Sequence, residues 1–188
     1  PALVRRGHQV VALTSEENPR AAPAGVILYK YRKPEPPKLE GAPGRSYAEM
    51  SERGVRAARA AAQLRDREGF HPDVVLGHSG WGETLFLREI WPDARHLVYA
   101  ELMYRSSGLD TDFDAELQAP GLGGRIGTVS RTAHLLQALV QADAAVSPTQ
   151  WQADSHPPEL RGKIRVIHDG VDTARLTPDP GATLEIPG

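Results

Sequence analysis

The stretch "HPDVVLGHSGWGETLFLREIWPDARHLVYAELMY", His71 to Tyr104, decides how the chain folds. A breaker, "HPD", leads into the β-branched run Asp73–Ser79, and a second breaker, "WPDA", leads into the run Arg95–Tyr104. Both runs are nearly continuous in apolar residues rather than alternating, the pattern of strands buried on two faces of a parallel sheet. Between them, Gly82–Trp91 carries apolar residues at helical spacing and is predicted to be the connecting helix.

Working outward, the same rhythm recurs. Further strands are predicted at His8–Thr14, Gly25–Tyr31, Asp143–Thr149 and Ile164–Gly170. Helices are predicted at Ser46–Gly69, with Ser46 and Glu49 as a capping box, and at Ser130–Ala142. Strands alternating with helices specify a doubly wound, Rossmann-like α/β domain with a mostly parallel sheet. The opening "PALVRRG" reads as a helix end closed by Gly7. A right-handed crossover requires that helix to follow an earlier strand, the central one in the usual order. The expectation is therefore a fragment whose first central strand is missing, with one domain over 1–172 and a linker over 173–188. Two loops stand out, the Pro-rich Tyr31–Gly44 and the long Arg105–Gly127.

Composition excludes several classes. Of 188 residues, 40% are hydrophobic and 24% charged, and 22 basic against 24 acidic residues leave a net charge of −2, which is no nucleic-acid footprint. No run approaches the length needed to span a bilayer. Cysteine is absent, so disulfides and thiolate metal sites are excluded, and a reducing compartment is suited. The histidines His71, His96, His134, His156 and His168 never fall into metal-ligand spacing.

Open α/β sheets bind ligands beyond the carboxyl ends of their strands. "GHSGWG", Gly77–Gly82, lies at such a tip and begins like the G-x-S-x-G elbow of serine hydrolases. Trp81 stands where the elbow needs glycine, so a hydrolase using Ser79, with Asp143 and His168 pressed into a triad, is the weaker reading. His78, Ser79, Trp81 and Glu83 suit hydrogen bonding to and stacking on a polyol, and Glu101 with Arg105 could add a hydroxyl partner and an anion clamp. "GLGGRIG", Gly121–Gly127, lacks the preceding strand of a dinucleotide loop and reads as flexible.

Three segments together resemble family 4 glycosyltransferases of the GT-B fold. "ALVRRGHQVVALT" resembles their opening helix-turn-strand, and "HPDVVLGHSGWGETLFL" a strand ending in a cleft histidine. "ADAAVSPTQWQADSHPPELRGKIRVIHDGVDTARLTP" resembles the run leading into the second lobe, with Asp169 where Asn is usual and Leu176 where Phe is usual. The resemblance implies the acceptor-side lobe of a retaining enzyme that moves a sugar from a nucleotide-sugar, without cofactor or essential metal, to an acceptor. It implies that His78 sits near the transferred sugar, and that Ser147 and the turn Gly170, Val171, Asp172 line the cleft or hinge. The donor site would belong to a C-terminal domain beyond Gly188, so this fragment is expected to be inactive alone. A cytoplasmic location follows from the same resemblance, with peripheral association at the inner membrane face as in many such enzymes. Ser46–Gly69 reads as a solvated helix rather than a membrane anchor. A non-catalytic Rossmann-like binding module is the remaining alternative.

Overall fold

A computed structural model describes residues 1–35, 38, 41, 43–114, 116 and 121–184. All six predicted strands form: β1 (Val10–Ser15), β2 (Val26–Tyr31), β3 (Val74–His78), β4 (Arg95–Tyr99), β5 (Ala144–Ser147) and β6 (Ile164–Val166). Every pairing is parallel. The sheet is not continuous. β1 and β2 form a two-stranded sheet, and β3-β4-β5-β6 a four-stranded one, with no ladder between β1 and β3.

The helices are α1 (Ala2–Arg5), α2 (Arg45–Glu68), α3 (Leu122–Arg131), α4 (Ala133–Gln141), α5 (Gln150–Ser155) and α6 (Pro158–Arg161). The long α2 spans both sheets. Its Ala61 and Leu64 pack with Val75, Leu87 and Trp91, and Val11 and Leu13 of β1 join that cluster. Gly69 ends α2 in the left-handed conformation at φ 63°, as its position after the last basic turn predicts. Phe70 then meets Trp91 edge-on, with ring centres 6.1 Å apart, and the Trp91 indole N–H donates to the Phe70 carbonyl at 3.1 Å. A second cluster, Leu85, Val98, Ala138, Leu139, Ala142 and Ala145, fills the space between the four-stranded sheet and α4.

Four local expectations are corrected. The helix predicted for Gly82–Trp91 is instead a set of turns with short 3-10 segments at Ser79–Trp81 and Leu87–Glu89. Gly82 sits at φ 83°, and a Cβ there would lie 2.2 Å from the Met50 carbonyl oxygen, so close packing on α2 overrides local propensity. The capping box fails because α2 starts one residue earlier, after Gly44, and Glu49 pairs with Arg45 at 2.8 Å. The predicted single helix over Ser130–Ala142 is split at Thr132 between α3 and α4. Most of "GLGGRIG" is helical, within α3. Parts of the Pro-rich loop and of Arg105–Gly127 lie outside the described residues. Residues 173–184 are exposed and carry only turns, one of them closed by the Asp172 carboxylate accepting from the Ala174 and Arg175 amides.

Candidate functional site

In a parallel sheet all carboxyl ends lie together, so β3, β4, β5 and β6 deliver their last residues to one rim. Register makes the neighbours explicit: His78 stands beside Tyr99, Tyr99 beside Val146, and Ser147 beside Val166. His78 and Ser147 therefore share one end of the sheet. Side chains alternate along a strand, however, so they leave it on opposite faces.

His78 is the centre of the arrangement. The Gly80 N–H donates to its Nδ1 at 2.9 Å, closing the turn after β3. The neutral ring accordingly carries its proton on Nε2, which donates to Glu101 Oε2 at 3.0 Å. Trp81 and Tyr99 flank the imidazole, their ring centres 5.5 and 5.4 Å away. Trp81 is 53% exposed and presents its ring to solvent beside this pair. The Tyr99 hydroxyl donates to Asp169, at 2.9 Å from both carboxylate oxygens. Partial burial and then the neighbouring Asp169 carboxylate hold the Tyr99 phenol above its ordinary pKa. The result is an aromatic and acidic rim: two ring faces, one N–H and two carboxylates converging from β3, β4 and the segment after β6.

Beneath it, the turn is braced. Buried His134 of α4 hydrogen-bonds the Gly80 backbone, and burial holds its imidazole below the ordinary histidine pKa, opposed by that bond. Ser79 is 3% exposed and its hydroxyl donates to the Tyr99 carbonyl at 3.2 Å, tying β3 to β4. Glu83 accepts from the buried Tyr31 hydroxyl at 2.7 Å and lies 3.8 Å from the Arg53 guanidinium. Burial and that carboxylate push the Tyr31 phenol well above its usual pKa. This three-way contact joins β2, α2 and the turn after β3.

The sequence-derived residues thus divide. His78, Trp81 and Glu101 come together at the rim. Ser79 and Glu83 are engaged with Tyr99 and Tyr31, and they hold the rim's shape. Arg105 donates to the Asp154 and Ser155 carbonyls, 2.8 and 3.1 Å away, steadying the end of α5 where helix carbonyls lack partners. Ser147 is fully buried. Gly170, at φ 82°, donates its N–H to His168 Nδ1 at 3.0 Å, repeating the His78–Gly80 turn. Val171 is 59% exposed beside it. Residue patterns missed Tyr99, Asp169 and His134. Asp169 in place of the usual Asn was a signal for one of them, and the Tyr99 contact gives that carboxylate a partner.

The Ser79-Asp143-His168 relay does not assemble around the serine. Asp143 instead accepts from Arg88 and from the His96 amide, both at 2.8 Å, which lower its pKa, the amide first.

A parallel α/β domain with a polar rim at its strand tips belongs to the open-sheet class that binds ligands at that edge. The sequence matches the glycosyl transferase family 4 group over residues 6–176, and the chain belongs to that family. No curated protein matches it by sequence. The domain is of glycosyltransferase type, a family whose substrates are sugars and nucleotide-sugars. Among the described residues no helix is long and apolar enough to cross a membrane.

Proposed function

We propose that the chain is the acceptor-side lobe of a retaining hexosyltransferase, and that a second Rossmann-like lobe, following the Gly170–Asp172 turn, holds the nucleotide-sugar. In the reaction the bond from the anomeric carbon to the phosphate oxygen breaks, and its electron pair leaves with the nucleotide. The acceptor oxygen bonds to that carbon and passes its proton to the departing phosphate oxygen. One observation carries the reading: in a family 4 domain, His78 at the strand tips pairs with Glu101 and contacts the rings of Trp81 and Tyr99. An N–H and a carboxylate match the donors and acceptors of sugar hydroxyls, and an exposed indole matches the apolar face of a pyranose.

His78 orients the sugar at the reacting end. Trp81 and Glu101 contact the acceptor, while Ser79, Glu83 and Arg105 fix the surrounding wall. Ser147, Gly170, Val171 and Asp172 form the base and hinge of the cleft. Because transition-state stabilisation needs groups placed together around the reacting atoms, one lobe alone does not turn over. A cytoplasmic enzyme of carbohydrate biosynthesis, working at the inner membrane face, fits this reading.

A transfer assay on the two-lobed protein tests it. His78→Ala should lower kcat by about 100-fold or more. Trp81→Ala should raise the acceptor KM about 10-fold, roughly 1.4 kcal/mol of stacking. Full activity in His78→Ala, or robust turnover by residues 1–188 alone, would overturn the proposal.

A further inference from the structure

Register puts His78, Tyr99, Glu101 and Asp169 on one face of the four-stranded sheet. His78 pairs with Tyr99, Tyr99 with Val146 and Val146 with Arg165, and ladder partners project to the same side. Alternation carries that side onward from Tyr99 to Glu101, and from Arg165 through Ile167 to Asp169. β4 and β6 are not neighbours, because β5 lies between them, and two strand spacings amount to about 10 Å. The Tyr99 and Asp169 side chains together cross that interval, with the hydroxyl 2.9 Å from both carboxylate oxygens. Their bond is a clasp over the end of β5, closed between residues 70 apart in sequence.

Both ends of the clasp are themselves held. The Tyr99 backbone lies in the ladder, and its carbonyl accepts from the Ser79 hydroxyl at 3.2 Å. On the other side, the Ile167 amide donates to the Ser147 carbonyl at 2.9 Å and the Gly170 N–H to His168 Nδ1 at 3.0 Å, which fixes the backbone around Asp169. Partial burial, and then the Asp169 carboxylate, hold the phenol above its ordinary pKa, so it keeps the proton it donates. A hydrogen bond to an ionised carboxylate is among the stronger kinds. Between the two ends lies the Tyr99 ring, its centre 5.4 Å from that of His78 and its plane tilted by 40°. Trp81 and the Glu101 side chain, which also contact the imidazole, are half-exposed, whereas Tyr99 is tied at both ends.

We infer that Asp169 is a positioning residue for His78: through the Tyr99 hydroxyl it holds the ring against which the imidazole is set. Without the carboxylate the phenol is free to swing on its side-chain torsions, and the imidazole loses its fixed wall. The orientation of a group at the reacting end then becomes an average over several angles, which lowers the rate without loosening donor binding. This kinetic consequence rests on the sugar-transfer reading, whereas the effect on His78 itself does not.

Two measurements test it. In NMR spectra of the 188-residue chain, Tyr99→Phe and Asp169→Ala should shift the His78 ring-proton signals in the same direction. Asp169→Asn, whose amide oxygen still accepts from the phenol, should leave them in place. In the two-lobed protein, Asp169→Ala should lower kcat roughly 10- to 100-fold with the nucleotide-sugar KM unchanged. Adding Tyr99→Phe should cost nothing more, because both substitutions open one bond, and Asp169→Asn should restore the rate. Unmoved His78 signals in Asp169→Ala overturn the inference, even with a lowered melting temperature, since the bond would then be merely structural. Losses that multiply in the double variant, or a rise in KM alone, overturn it as well. Full activity in His78→Ala, with the signals shifting as expected, would sink the sugar-transfer reading and leave the positioning of His78 standing.

Discussion

The two sheets are built from equally good strand sequences and end up in different environments. β4 and β5 bury Val98 and Ala145 to 2% and 1% exposure, whereas all six residues of β1 remain half-buried. "VVALTS" is no less apolar than "RHLVY". The difference lies in neighbours: β4 and β5 have a strand on each side and α4 across one face, while β1 has β2 on one side and nothing paired on the other. Burial is a property of the assembled layer. The four-stranded half also carries the rim residues His78, Tyr99 and Glu101.

The contrast can be broken most forcefully in the four-stranded half. Leu139 is 1% exposed, and Leu139→Ala should cost about 2–5 kcal/mol in denaturant unfolding. Ile27 on β2 is 50% exposed, and Ile27→Ala should cost at most about 1 kcal/mol. Equal losses would mean the two sheets are equally well packed. Next comes the joint between them. Gly82→Ala places a Cβ against the Met50 carbonyl at positive φ, so a loss of about 2–4 kcal/mol is expected, with the Trp81 fluorescence moving as the turn shifts. An unchanged midpoint and spectrum would show that α2 can retreat freely.

The smallest effect is a pH dependence. Burial is the leading cause holding both His134 and His156 below the ordinary histidine pKa. Below about pH 6.5 the unfolded chain then binds protons that the folded one refuses. Stability is therefore present above that pH and falls as the pH drops toward the folded values, by no more than about 1.4 kcal/mol per pH unit for each histidine. The double variant His134→Gln with His156→Gln should flatten the curve of unfolding free energy between pH 7 and 5. A curve that keeps its slope would assign the loss to the carboxylates instead.

Much of this was legible in the residues. Asp73–Ser79 and Arg95–Tyr104 read as strands because they are nearly continuous apolar runs between breakers, although the strands themselves stop at His78 and Tyr99. Gly69 marked the end of α2 because a left-handed cap favours glycine. His78 was legible as a strand-tip residue, and Trp81 as the residue that spoils a hydrolase elbow. The segment Gly82–Trp91 was misread because its periodicity is genuine but its first residue is pressed onto Met50, thirty-two positions away in sequence, in the assembled fold.

What the sequence determined by itself is therefore local and periodic: where strands begin, which glycines must bend, and which side chains reach the strand tips. Tertiary structure alone decided which of those side chains meet. Glu101 found His78, Asp169 found Tyr99 and Glu83 found Tyr31 across separations of 23, 70 and 52 residues. Hydrogen bonds act over about 3 Å, and the one-dimensional pattern carries no record of a distance that only parallel register and close packing create.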